Sequence, residues 1–145
     1  MENNIKDVSF LIRHLKRSHY DEPNTIKDDA FQLREDRCPP EEYLSFYHSK
    51  KTTESQRVLD VIKIFQSKNF NLKNNCGFAH TDVNNSISEI NTTRDIIEFK
   101  EYNYPHYGMH FLTDDDMEIL EAKTVLIYNS QLFKFEEFQN ALELL

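Results

Sequence analysis

The sequence predicts an α+β fold in which a small, mostly antiparallel sheet is flanked by three to five helices. Segments with strand alternation and segments with helical spacing are mixed along the chain, without the strict strand–helix alternation of a parallel sheet. The 145 residues include 11 phenylalanines and 7 tyrosines, enough large apolar side chains to build a core. Since neither a repeat nor a long linker divides the chain, we expect residues 1–145 to form a single domain.

The first third of the chain predicts one helix and one strand. Val8, Leu11 and Leu15 have helical spacing, which predicts a short amphipathic helix over residues 7–19. The other face of this helix would be basic, and it would carry Arg13, His14, Lys16, Arg17 and His19. Residues 29–35 alternate and predict a strand.

A second strand and a longer helix follow. Residues 43–48 alternate and are rich in aromatic side chains, which favours a strand. Thr53 with Gln56 three positions later matches a capping box, so a helix is predicted from there to about residue 68. Its predicted buried stripe consists of Val58, Leu59, Val61, Ile62 and Phe65.

The middle of the chain predicts a strand, a helix and a hairpin. Residues 77–81 suit a short strand, and Thr81 or Asp82 would cap the helix after it. Residues 95–102 and 107–112 are predicted as the two strands of a hairpin, because a turn at Tyr104 and Pro105 separates them.

The last third is predicted to be largely helical. Thr113 is followed by three aspartates, and anionic side chains favour the first turn of a helix. Residues 124–128 fit either a continuation of that helix or a strand. Residues 133–145 predict a closing helix, with Phe138, Ala141, Leu142 and Leu145 on its inner face.

Several classes of protein are excluded by composition. No apolar run approaches the roughly 18 residues of a membrane span, and we expect neither a signal peptide nor a membrane partner. Two glycines are too few for a glycine-rich phosphate loop. Two cysteines, Cys38 and Cys76, without metal-ligand spacing predict reduced thiols in a cytoplasmic protein. We therefore expect no cofactor and no metal site.

Negative charge is concentrated in the second half of the chain. Residues 76–145 contain 13 acidic and 4 basic side chains, whereas residues 1–75 are almost balanced with 12 and 13. An acidic surface repels phosphate groups, so we do not expect nucleic acid as a partner. The same surface attracts a basic one, so the distribution predicts a protein partner with a basic surface. The basic residues of the first segment leave a homodimer open as an alternative.

The residues expected to contact that partner lie between positions 104 and 118. One group consists of side chains with an apolar body and a polar tip, Tyr104, His106, Tyr107 and His110. The other group is acidic: Asp114, Asp115, Asp116 and Glu118. His106 and His110 would share a face of a strand about 13 Å apart, too far for one metal ion.

An enzymatic alternative rests on a second set of residues. Asp82 is followed by Glu98 and Lys100 in an E-x-K pattern on a predicted strand. This arrangement resembles the motif of the PD-(D/E)xK nucleases. The resemblance implies that the two carboxylates would hold Mg²⁺ and that the lysine would stabilise the attacked phosphate. His106 would assist them.

Two functions remain open from the sequence. The favoured one is a non-enzymatic, acidic protein-binding module, which would be a regulatory, accessory or immunity-like (antitoxin-like) protein. The composition, rich in asparagine and lysine, suggests a microbial source. The alternative is a small metal-dependent hydrolase or nuclease built on Asp82, Glu98, Lys100 and His106.

Overall fold

The computed structural model describes residues 8–34 and 38–140. Over these ranges the chain forms eight strands and three α-helices, with short 3-10 helices between them. The strands are β1 (Phe10–Leu15), β2 (Tyr20–Asp21), β3 (Thr25–Ile26), β4 (Leu44–Tyr47), β5 (Gly77–Asp82), β6 (Ile97–Glu101), β7 (His106–Phe111) and β8 (Ser130–Lys134). The α-helices are α1 (Glu54–Ser67), α2 (Val83–Ile90) and α3 (Asp116–Tyr128).

Six of the strands form one antiparallel sheet in the order β6-β7-β4-β1-β5-β8. The strands β2 and β3 pair separately as a two-stranded ribbon. A sheet of this kind with helices on its faces is an α+β fold, so the predicted fold class is confirmed. None of the helices over the described ranges is both long enough and apolar enough to cross a membrane.

One face of the sheet packs against α2 and α3. Alternate residues of the central strands point toward these helices, as the period of two requires. The core on this side includes Leu11, Phe31, Phe46, Met109 and Leu126, each of them fully buried. We call this the α3 side of the sheet.

The opposite face is only partly covered, because α1 is the one α-helix packed there among the described residues. The core beneath it consists of Ile12, Val58, Ile62, Phe65 and Phe78, with aromatic residues of the C-terminal segment beside them. This core covers β1, β5 and β8. The other half of the face, formed by β4, β7 and β6, carries polar and aromatic side chains, and we call it the open half of the α1 side.

The helix predicted over residues 7–19 is wrong, because this segment forms the central strand β1 and a 3-10 turn, Arg17–His19. The predicted basic helix face therefore does not exist. Arg13 points into the α3-side core, where its Nε donates to the carbonyl oxygen of Ala30 at 2.7 Å and Nη1 donates to that of Ser45 at 3.2 Å. Because β1 is covered on both faces, its apolar residues do not alternate with polar ones, and Arg13 resembles a surface residue in the sequence.

Two further predictions are corrected by tertiary pairing. Within residues 29–35, no described residue lies in a strand, and Asp28–Phe31 forms a 3-10 helix that buries Ala30 and Phe31. The start of the predicted closing helix is instead β8 and a 3-10 turn, Phe135–Phe138, because β8 completes the sheet beside β5. Residues 141–145, with three of the inner positions proposed for that helix, lie outside the described residues.

The predicted N-caps are confirmed, although the Gln56 side chain accepts from the Thr52 hydroxyl at 3.3 Å instead of completing a capping box with Thr53. The Thr53 hydroxyl accepts from the Gln56 N–H at 3.3 Å, which starts α1. Asp82, rather than Thr81, caps α2 by accepting from the Asn85 N–H at 3.0 Å. Residues 124–128 belong to α3. These are local interactions between residues close in sequence, which is why the sequence alone reveals them.

Candidate interaction surfaces

The open half of the α1 side carries a tyrosine–histidine cluster, which we define as Tyr43, Tyr47, Tyr102, His106 and His110. Its centre is Gly108 on β7, where the rings of Tyr43 and Tyr102 stack with their centroids 4.6 Å apart. A Cβ at position 108 would lie only 2.5 Å from Tyr43 and 2.7 Å from Tyr102. The glycine therefore creates the space that the stacked rings occupy.

His106 and His110 flank this stack on the same face of β7. The Tyr43 ring contacts both imidazoles, with centroid distances of 5.8 Å and 5.3 Å. His106 Nε2 is hydrogen bonded to Ser45 Oγ at 3.2 Å, and His110 Nε2 is hydrogen bonded to the Tyr102 hydroxyl. Burial lowers the pKa of both rings, which favours the neutral imidazole. Both histidines thus form ring contacts and hydrogen bonds with neighbouring side chains of the same sheet face.

The two tyrosines of the same segment lie elsewhere. Tyr104 is exposed at the turn between β6 and β7, and its hydroxyl is hydrogen bonded to His48 Nδ1 at 2.7 Å. Tyr107 is buried in the α3-side core, because it alternates with His106 along the strand. Residues 104–110 therefore do not form one continuous recognition surface.

The structure does not bring the four proposed nuclease residues together. Glu98 and Lys100 are on the edge strand β6, where Lys100 Nζ lies 3.1 Å from a Glu98 carboxylate oxygen. Asp82 is on β5, four strand positions away, which corresponds to roughly 19 Å. Its carboxylate caps α2. Over residues 8–34 and 38–140, no group of three His, Cys, Asp or Glu side chains is placed to hold a metal ion.

The acidic residues 114–118 occupy the loop and first turn of α3, and they differ in role. Asp115 is the N-cap, and its carboxylate accepts from the N–H groups of Met117 at 2.9 Å and Glu118 at 3.0 Å. Glu118 accepts hydrogen bonds from Arg94 and from the Thr113 hydroxyl. Asp114 and Asp116 are exposed. Asp116 is the first residue of α3 and Asp114 lies in the loop before it.

Replacement of Asp115 by alanine should lower the free energy of unfolding by about 1 kcal/mol, because two N–H groups of the first turn lose their acceptor. Urea denaturation monitored by circular dichroism measures this loss. Asp114→Ala is the matched control and should leave stability within about 0.5 kcal/mol of the wild type. Equal stability of the two variants would contradict the capping role.

The sequence reasoning missed an apolar stripe on the outer face of α3. Met117, Leu120 and Tyr128 are 64%, 44% and 83% exposed. They lie on one side of the helix together with Glu121 and Thr124, because positions separated by three, four, seven or eleven residues share a face. The inner face is supplied by Ala122 and Leu126. The sequence did contain a signal for this stripe, because the helix has apolar residues on two opposite sides and the core can cover only one of them.

Acidic side chains border this stripe. Asp114 and Asp116 lie at its beginning and Glu121 lies within it, all of them exposed. An open depression continues the surface past the helix start and is lined by Leu112, Asp114, Asp115 and Met117 with their neighbours. We call the stripe and its acidic border the α3 outer face. Its chemistry is an apolar centre with a negative rim.

Comparison of the chain with protein-family models, with curated proteins and with solved structures finds no match. The surfaces described above are therefore the basis for the function proposed below.

Proposed function

We propose that the protein is a non-enzymatic protein-binding module of regulatory, accessory or immunity-like type, and that the α3 outer face docks a partner with a basic surface. The observation that carries this proposal is the exposure of Met117, Leu120 and Tyr128 along one side of a helix. Large side chains in such a row lose contact with water when a partner covers them, and this burial favours association.

The acidic border specifies the kind of partner. Asp114, Asp116 and Glu121 are exposed around the stripe, so a protein with lysine or arginine around an apolar centre is complementary to it. A second copy of the chain would bring a second acidic border to the same interface. Charge repulsion therefore disfavours the homodimer through this face and favours a basic partner.

Tyr128 is expected to be the residue on which the complex depends most. Tyrosine is enriched among the residues that dominate binding energy in protein interfaces, and this side chain makes few contacts within its own chain. We expect Tyr128→Ala to weaken the complex at least about tenfold, which is about 1.4 kcal/mol. Its folding stability should change by no more than about 0.5 kcal/mol, because the ring is at the surface.

The experiment is a quantitative pull-down from an extract of the source cells with four forms of the full chain. They are the wild type, Tyr128→Ala, the charge reversal Asp114→Lys with Glu121→Lys, and a control with the same charge change, Glu42→Lys with Glu136→Lys. Glu42 and Glu136 are exposed and lie outside the α3 outer face. Mass spectrometry identifies the captured protein, and its recovery is measured at low and at high salt.

The proposal predicts one stoichiometric partner with a basic surface that is retained by the wild type and the control. Both α3 variants should lose it, and its recovery should fall as salt screens the rim. A partner bound equally by all four forms would contradict the assignment of this face. If light scattering shows a wild-type dimer that Tyr128→Ala dissociates, the face is a homodimer interface and the basic-partner proposal fails.

A further inference from the structure

A half-enclosed cavity of about 350 Å³ lies on the α1 side of the sheet, remote in sequence from the α3 outer face. It is formed where the end of β1, the loop after α1 and the start of β5 meet. Its walls are His14, Lys16, Arg17, Phe70, Asn71, Lys73, Asn75 and Cys76. A volume in this range accommodates a small organic molecule of two or three rings.

Part of the cavity lining is apolar and uncharged. The Phe70 ring is 48% exposed and lies edge-to-face against the His14 ring, with 5.3 Å between the centroids. Cys76 is buried, and burial raises the pKa of its thiol to about 11, so the sulfur carries no charge at pH 7. An aromatic ligand placed against Phe70 would bury apolar surface that water now contacts.

One polar atom of the wall has an unmet hydrogen bond. His14 Nε2 is buried and has no hydrogen-bond partner among the described residues. Buried polar atoms are nearly always paired, so an unpaired one requires an explanation. A molecule held against this ring is one such explanation, and the exposed amides of Asn71 and Asn75 offer further hydrogen bonds beside it.

The rim carries positive charge in a molecule whose formal net charge is −8. Lys16 and Lys73 are both exposed, and neither forms an ion pair with a described residue. Arg17, by contrast, already donates to the Tyr20 carbonyl oxygen at 2.6 Å and lies 3.9 Å from Glu22. The two lysines are therefore the cations left for an anionic ligand.

We propose that this cavity binds a small aromatic anion, with its rings against Phe70 and Cys76 and its carboxylate or sulfonate group between Lys16 and Lys73. The apolar wall supplies the affinity for the rings, and the lysines select the negative charge. A neutral ring compound contacts the apolar wall but gains nothing from the lysines. The cavity should therefore bind an aromatic anion more tightly than a neutral compound with the same rings.

Two fluorescent probes test this selection on the full chain. Anilinonaphthalene sulfonate is an aromatic anion, and N-phenylnaphthylamine has the same rings without the sulfonate. We expect the sulfonate to bind one saturable site on the wild type. In Lys16→Gln with Lys73→Gln its dissociation constant should rise about tenfold, whereas that of the neutral probe should stay within about twofold. Lys51→Gln with Lys63→Gln changes the charge equally outside the cavity and should leave both constants unchanged.

Nuclear magnetic resonance locates the bound probe. The ring signals of His14 should shift on addition of the sulfonate, while those of His106 and His110 on the open half should not. Near-ultraviolet circular dichroism checks that every form remains folded, because partly unfolded proteins also bind this probe. The proposal is overturned if the sulfonate binds without saturation, or if both double lysine variants weaken its binding equally. It is also overturned if only the His106 and His110 signals shift. Because the cavity and the α3 outer face share no residue, failure of one proposal leaves the other standing.

Discussion

We expect the Arg13→Met variant to lose about 3 kcal/mol of unfolding free energy. Arg13 donates to the carbonyl oxygens of Ala30 and Ser45, which belong to the 3-10 helix below the sheet and to β4. These carbonyls are backbone groups and stay in place when the side chain changes. The Ala30 carbonyl is buried and the Ser45 carbonyl is partly buried, and methionine replaces the apolar stem but not the donors to them. An unpaired buried acceptor costs about 1–3 kcal/mol.

The cost of burying the Arg13 charge opposes the stabilisation that its hydrogen bonds provide. Burial lowers the pKa of Arg13 to about 10, which still leaves the guanidinium charged at pH 7 in the core. If the cost of burying that charge outweighed the two hydrogen bonds, Arg13→Met would be the more stable protein. Urea denaturation shows whether Arg13→Met is less or more stable than the wild type. Lys63→Met, an exposed position on α1, is the control and should change stability by less than about 0.5 kcal/mol.

Acidification from pH 7 to pH 5 should destabilise the protein, with about 2 kcal/mol due to His14 alone. Burial, followed by the positive charges of Arg13, His19 and Lys16, lowers the pKa of His14 to about 4. The unfolded chain has the ordinary value near 6.5, so between these two values the unfolded state binds more protons. The stabilisation is complete above pH 6.5 and is lost progressively as the pH falls toward 4.

The other five histidines act in the same direction. Burial is the largest cause of a lowered pKa at His19, His48, His80, His106 and His110. For His80, the adjacent Arg57 guanidinium, whose Nη1 lies 3.2 Å from Nε2, adds to the effect. Destabilisation between pH 7 and 5 is thus shared among all six histidines of the chain.

Unfolding free energies measured in urea at pH 7, 6 and 5 test this dependence. His14→Phe removes the titrating group and keeps a ring among Phe65, Phe70 and Phe78, which surround it. The variant should lose about 2 kcal/mol less than the wild type over this range. If both proteins show the same pH dependence, His14 is not the principal proton-linked group. A titration of the His14 ring signals by nuclear magnetic resonance gives its pKa directly.

The elements that the sequence predicted correctly are those whose signals lie within a few residues. The hydroxyl of Thr53 and the carboxylate of Asp82 each cap a helix by reaching a backbone N–H three positions on. The hairpin of β6 and β7 followed from its turn and the alternation on either side. Local capping and alternation do not depend on the remainder of the chain, so they can be read without it.

The errors occurred where distant partners determine the local structure. β1 is central in the sheet and buried on both faces, so its apolar residues are continuous and its one arginine resembles a surface residue. Residues 133–134 extend because β5 offers a free edge, although their spacing also fits a helix. Both choices depend on pairing with strands more than 30 residues away in the sequence.

The same division holds for the candidate sites. The sequence by itself determined the α+β class, the caps, the acidic character of the second half and the position of the carboxylates at the start of α3. Only the tertiary structure decided that Tyr107 faces the core and that Asp82 and Glu98 lie four strands apart. It also decided that residues 8–34 and 38–140 leave one side of α3 exposed. The physical reason is that exposure depends on which surfaces the fold has already used, and a side chain's neighbours across a sheet are set by strand order rather than by distance along the chain.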